Sequence, residues 1–165
     1  MKKIMYWLPA FAWMGIIFYS SSTPYEEQNV QPLLGKWLDL SWLSPYLDWV
    51  SFTYNQSPVS IATHGVEGLI EFFLRKGAHV GVFLVLTLLF YGALYYTLNK
   101  TNRALWLAWV LTVIYAIFDE LHQGITPNRT PYAGDVILDA VGGLLGVGLV
   151  LFFKRYRRKN TFTIE

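Results

Sequence analysis

Four apolar runs, each closed by charged or turn-forming residues, decide most of what this chain can become: Ile4–Tyr19, Gly77–Leu98, Ala104–Phe118 and Val136–Phe153. Each is close to the ~17–25 residues that a helix needs to cross a hydrocarbon core about 30 Å thick. In lipid the backbone must satisfy its own hydrogen bonds, so runs of this kind form helices. With the polar residues at their ends, the expected spans cover about residues 4–20, 75–98, 104–122 and 135–153. The reading is an all-α integral membrane four-helix bundle, one domain over residues 1–155, followed by a basic tail at 156–165. Pro9 predicts a kink in the first span. Lys2 and Lys3 before it and Ser20-Ser21-Ser22 after it loosely fit a signal peptide, but the small-residue cleavage site is poor, so a retained span is expected.

Composition agrees with that class. Charged residues make up 15% of the chain, against roughly 25% in an average soluble domain. With no cysteine, disulfides, thiolate metal sites and a cysteine nucleophile are excluded. The net charge of +2 comes from basic clusters at segment ends, which is the signature of membrane topology and not of a nucleic-acid surface. Placing the N-terminus in the cytoplasm puts Lys2, Lys3, Lys100, Arg103 and the run Lys154-Arg155-Tyr156-Arg157-Arg158-Lys159 there. The opposite side then holds only Lys36, Arg75, Lys76 and Arg129. Both termini are expected inside.

The polar residues between Arg75 and Asp139 fall into three packets: Arg75-Lys76 with His79; Asp119-Glu120, His122-Gln123 and Arg129; and Asp135 with Asp139. Helical rise places all three in or just above the outer third of the membrane, where ionisable groups are costly and mark a site. Glu71, Arg75 and His79 share one face of the second span, as do Asp135, Asp139, Gly142 and Gly146 on the fourth. The carboxylates of the fourth span should therefore point into the bundle. Gly77 and Gly81 form a small-residue pair suited to close helix contact.

Residues 21–70 form a long outer segment, apolar at helical spacing through Leu33, Leu34, Trp37 and Leu38 and again from Leu43 to Val50. Ser44-Pro45 looks like a helix start. Trp37, Trp42 and Trp49 suit a headgroup boundary. Short interfacial helices are expected, either roofing the site or plugging the bundle. A further helix is expected to start at Ser57-Pro58 and run into the second span.

The residues that carry these features resemble the VanZ-like family of bacterial membrane proteins. The matching elements are Ser20-Ser21-Ser22-Thr23-Pro24, Arg75-Lys76 with His79, the Asp119-Glu120-x-His122-Gln123 motif, Arg129, and Asp135 with Asp139 and the glycines after it. Asp139 stands where relatives often carry Asn. The resemblance covers about residues 13–150 and implies a multi-pass protein of the bacterial cytoplasmic membrane. It also implies an association with low-level resistance to glycopeptides such as teicoplanin, or a wider role at the cell surface, without implying a mechanism.

Two functional readings follow. In the first, Arg75, Lys76 and Arg129 grip a phosphate or carboxylate at the outer leaflet, with His122, Gln123, Asp135 and Asp139 completing the ligand site. The ligands are then membrane lipids, a lipid-linked wall precursor or an acylated glycopeptide. In the second, an intramembrane enzyme acts on a lipid-linked phosphate or acyl substrate with His79 as acid or base, oriented by Asp119 or Glu120. A metal held by His79, Asp119, Glu120, His122 and Asp135 matches no dedicated motif, and no cofactor is expected. The plain alternative is a salt-bridge network that fixes helix packing.

Overall fold

The computed structural model describes residues 2–98 and 102–161. Chain order gives α1 (Lys2–Met5), α2 (Leu8–Ser22), α3 (Tyr25–Gln28), α4 (Gln31–Trp37), a 3-10 turn (Ser41–Leu43) and α5 (Ser44–Leu47). There follow β1 (Ser51–Tyr54), β2 (Ser57–Ser60), α6 (Ile61–Thr97), α7 (Asn102–Gln123) and α8 (Ala133–Thr161). Four helical stretches are long and apolar enough to cross a membrane: Lys3–Ser22, Ile61–Thr97, Asn102–Gln123 and Ala133–Asn160. Lys100, one of the residues used for orientation, lies outside the described residues.

Helices α6, α7 and α8 form the tight core, and α2 packs more loosely against α6 and α7. Glycine makes the α6–α8 approach close. A Cβ on Gly142 would stand 2.3 Å from the Val80 carbonyl oxygen, and one on Gly146 3.0 Å from that of Leu84. Gly77 and Gly81 have nothing within 4 Å of the same position. The expected small-residue contact is therefore made by α8 and not by that pair. At the centre, Phe83, Leu86, Ala104, Ala108 and Ala116 are buried. The Thr87 hydroxyl donates to Thr112 Oγ1 at 2.8 Å, joining α6 to α7. Polar tips of aromatic residues clip the remaining helices: Trp109 Nε1 donates to the Ala140 carbonyl at 3.0 Å and the Tyr115 hydroxyl to that of Met14 at 2.7 Å. In a bundle without water such bonds are the available partners for these groups.

Tyr6 stacks on Tyr96 at 4.6 Å, and Lys154 lies 5.2 Å from the ring centre of Tyr91. Both chain ends therefore stand at one end of the bundle, and the polar packets stand at the other. Even counted only from Val66, after the break at Gly65, to Thr97, α6 is about 48 Å long at ~1.5 Å per residue, far beyond a core of about 30 Å. Its first turns project past the bundle as a post, on which α4 and α5 pack.

Two local expectations change. Ser57-Pro58 begins a strand and not a helix. β1 and β2 pair as an antiparallel hairpin, Ser51 with Ser60 and Tyr54 with Ser57. Asn55 and Gln56 turn it at φ 46° and 62°, the left-handed pair that a two-residue hairpin loop requires. The helix starts one strand later, where Ser60 and Thr63 form a capping box. Gly65 then interrupts α6 at φ 69°, which glycine tolerates without a Cβ penalty. Ser44, expected as the N-cap before Pro45, is instead the first helical residue of α5, with Leu43 at the cap and Pro45 still in the first turn.

Candidate functional site

Four elements converge at the polar end: the C-terminus of α2, the middle of α6, the end of α7 with the loop to α8, and the first turns of α8. The carboxylates are buried as the face analysis requires, Asp119 at 2% exposure, Asp139 at 1% and Asp135 at 9%.

Three charge pairs organise the site. Arg75 Nη2 donates to Glu71 Oε1 at 2.8 Å, and Gln31 of α4 donates to the other oxygen of that buried carboxylate at 2.5 Å. Lys76 Nζ donates to Asp135 Oδ1 at 2.5 Å, and the Tyr54 hydroxyl donates to the same oxygen. Lys76 also lies 4.5 Å from the centre of the Tyr54 ring, a cation–π contact. The hairpin thus sits over the α6–α8 pair and brings Tyr54 into the site. Burial and the Asp135 carboxylate push the Tyr54 phenol above its usual range. The third pair is His79 Nδ1 with Asp139 Oδ1 at 3.1 Å.

The expected partners of His79 are occupied elsewhere. Asp119 Oδ2 accepts from Gln123 Nε2 at 2.8 Å, and Glu120 Oε1 accepts the Tyr132 backbone N–H at 2.5 Å. Asp139 orients His79 because α8 comes closest to α6 at Gly142, one turn below. One oxygen each of Asp119, Glu120 and Asp139 is buried without a hydrogen-bond partner.

Arg129 plays a different part from a freely extended anion grip. Its guanidinium donates to the Thr23 carbonyl, Gln123 Oε1, Gln28 Oε1 and, at 3.3 Å, the Ser20 carbonyl. It ties the α7–α8 loop to the end of α2 and to α3. The Thr126 hydroxyl adds a bond to the Ser21 carbonyl at 3.1 Å. Burial and the neighbouring Arg75 guanidinium bring Arg129 below the usual arginine range, while Asp119 and Glu120 act the other way. His122 faces away from the centre. Its ring stacks on Phe18 at 4.1 Å, and it lines neither cavity described next.

Two cavities meet at this end. One, of about 200 Å³, runs between α2 and α6 and is lined by Trp13, Ile16, Ile17, Ala78, Val82 and Phe83 along its apolar length. Its polar end carries Ser20, Ser21, Gln28, Asp119, Arg75, His79, Gln123 and Arg129. The other, of about 190 Å³, opens under the hairpin and is lined by Tyr54, Asn55, Lys76, Asn128, Thr130, Tyr132 and Asp135. Arg75, His79, Gln123 and Arg129 line both. Each alone is smaller than the usual small-ligand site of about 300–1,000 Å³, and the two lie back to back on that shared wall. Among the described residues no three His, Asp or Glu side chains group to hold a metal ion.

The shared wall can do two things chemically: offer guanidinium donors to an anion, and present the second nitrogen of a carboxylate-held imidazole to whatever lies there. Tyr54, Gln28, Gln31 and Thr126 join the site without having been read from the sequence. Tyr54 had a signal, since Ser51-Phe52-Thr53-Tyr54 before Asn55 is a strand followed by a turn residue.

The VanZ/LLP1 family profile matches residues 6–154. The chain belongs to the VanZ/LLP1 family. No curated protein and no solved structure matches it significantly. Family membership and the four apolar helices together make this VanZ/LLP1 member a multi-pass membrane protein. The match reaches all four spans and takes in the whole outer segment, so the hairpin and the Gln28–Arg129 tie lie within the matched residues.

Proposed function

We propose that this VanZ/LLP1 protein binds an anionic component of the cell envelope at the outer face of the bacterial cytoplasmic membrane. The observation that carries the reading is the wall shared by the two cavities. Arg75 and Arg129 both line that wall, and a phosphate or carboxylate there would accept charge-assisted hydrogen bonds from Arg75 while lying beside the guanidinium of Arg129, which is also tied to its own acceptors. The positive-inside distribution of Lys and Arg supports an outward-facing position for this end. Lipid headgroups, lipid-linked wall precursors and acylated glycopeptides all present such an anion, and engagement of any of them links this site to glycopeptide resistance. Teicoplanin susceptibility of cells expressing wild-type protein or Arg75→Gln tests that link. Protection that persists in the variant at equal protein level removes the anion site from the phenotype.

A second reading rests on His79. With Nδ1 directed at Asp139, the ring is oriented as in hydrolases that use a carboxylate-held imidazole as general base. Arg75 would then stabilise charge developing on a phosphate or oxyanion. A chemically defined product that disappears in His79→Gln, while ligand binding persists, selects this reading over simple binding.

A further inference from the structure

The cavity between α2 and α6 has a shape that an anion site alone does not need. It leaves the Arg75–Arg129 wall and continues downward past Ala78, Val82 and Phe83 on α6 and Ile17, Ile16 and Trp13 on α2. Ile16 is 57% exposed and so faces the lipid side. The helix that closes the cavity is the loosely packed one, and Trp13 Nε1 fastens it to the Val82 carbonyl at 3.0 Å. The polar end is roofed, with Gln28 donating to the Ser20 carbonyl at 2.7 Å and Arg129 accepted by Gln28 at 2.6 Å. A ligand therefore has an apolar side entrance from the bilayer and a cationic head end bridged by Gln28.

Resting on the anion-binding reading above, we infer that the ligand is an anionic amphiphile whose acyl or prenyl chain lies in the α2–α6 cleft, with its phosphate or carboxylate at Arg75 and Arg129. Charge complementarity sets the direction of the molecule. Asp119 also lines the cleft, its Oδ2 held by Gln123 and its Oδ1 without a partner, so the anion goes to the arginine wall and not to the Asp119 side. Chain contacts and head contacts come from different residues, which makes them separable by mutation. Ala78 is exposed to the cleft, so a larger side chain there fills space that the chain would occupy without entering the packed core.

The test uses purified full-length protein in mild detergent, titrated with phosphatidylglycerol and read by native mass spectrometry. Glycerophosphoglycerol supplies the same head without chains, and diacylglycerol the chains without a head. Wild-type protein should take up phosphatidylglycerol at least tenfold more tightly than either fragment. Ala78→Leu should lose at least tenfold for phosphatidylglycerol while keeping wild-type binding of glycerophosphoglycerol, which also shows that the site is folded. Unchanged phosphatidylglycerol binding in Ala78→Leu overturns the chain site and leaves the head site standing. Diacylglycerol bound as tightly as phosphatidylglycerol, or no dependence of any ligand on Arg75→Gln, overturns the head site and with it the anionic amphiphile.

Discussion

Asp139 on α8 holds Nδ1 of His79 on α6 at 3.1 Å, across the helix pair whose backbones approach most closely. The contact joins the two packets that lie farthest apart in the chain. An Asn at position 139 can still accept a hydrogen bond from Nδ1. Asp139→Asn should therefore cost under about 1 kcal/mol, whereas Asp139→Ala strands a buried imidazole N–H and should cost about 1–3 kcal/mol. Thermal unfolding of both variants in detergent measures the difference. Equal losses would mean that the hydrogen bond does not hold His79.

The close approach itself makes a second prediction. A Cβ on Gly142 collides with the Val80 backbone at 2.3 Å, and backbone cannot turn aside as a side chain can. Gly142→Ala should destabilise by about 1–3 kcal/mol. Gly148, with nothing within 4 Å, is the control, and its alanine variant should unfold with the wild type. A tolerated Gly142→Ala would contradict the α6–α8 packing.

Tyr54 gives a pH dependence. Burial and Asp135 raise its phenol above the usual value of about 10. The folded state thus keeps a proton that the unfolded chain releases, so stability is full below about pH 10 and falls as pH rises further, by at most about 1.4 kcal/mol per unit. Tyr54→Phe should remove part of that alkaline slope. A slope unchanged in the variant places the loss on other tyrosines.

The absence of cysteine makes orientation simple to read. Ser57 on the exposed hairpin and Arg158 on the tail stand at opposite ends of the bundle. In intact cells a membrane-impermeant maleimide should label Ser57→Cys and spare Arg158→Cys. The reverse pattern turns the site inward and removes the cell-surface reading.

The spans were legible because hydropathy and helical rise act along one helix at a time. The buried face of Asp135 and Asp139 was legible for the same reason. What the sequence left open depends on which helix comes next to which. Asp119, Glu120 and Asp139 all lie at the depth of His79, and the glycines of α8 decide among them. Gly77 and Gly81 carried the same small-residue signal as Gly142 and Gly146, yet no neighbour packs there. The hairpin was hidden by Ser57-Pro58, which reads as a helix start until the turn at Asn55-Gln56 pairs the segment with β1. Arg129 could be read as a cation but not as a tie, since its acceptors lie on α2, α3 and α7.

The most direct test is native mass spectrometry of protein taken from membranes in mild detergent, comparing wild type with Arg75→Gln and Arg75→Lys. The account predicts a retained anionic lipid or wall-precursor mass in the wild type, weakened in Arg75→Lys and lost in Arg75→Gln. A bare polypeptide mass in all three, or a ligand retained equally by all, would contradict it and leave the charged cluster as a device for packing helices.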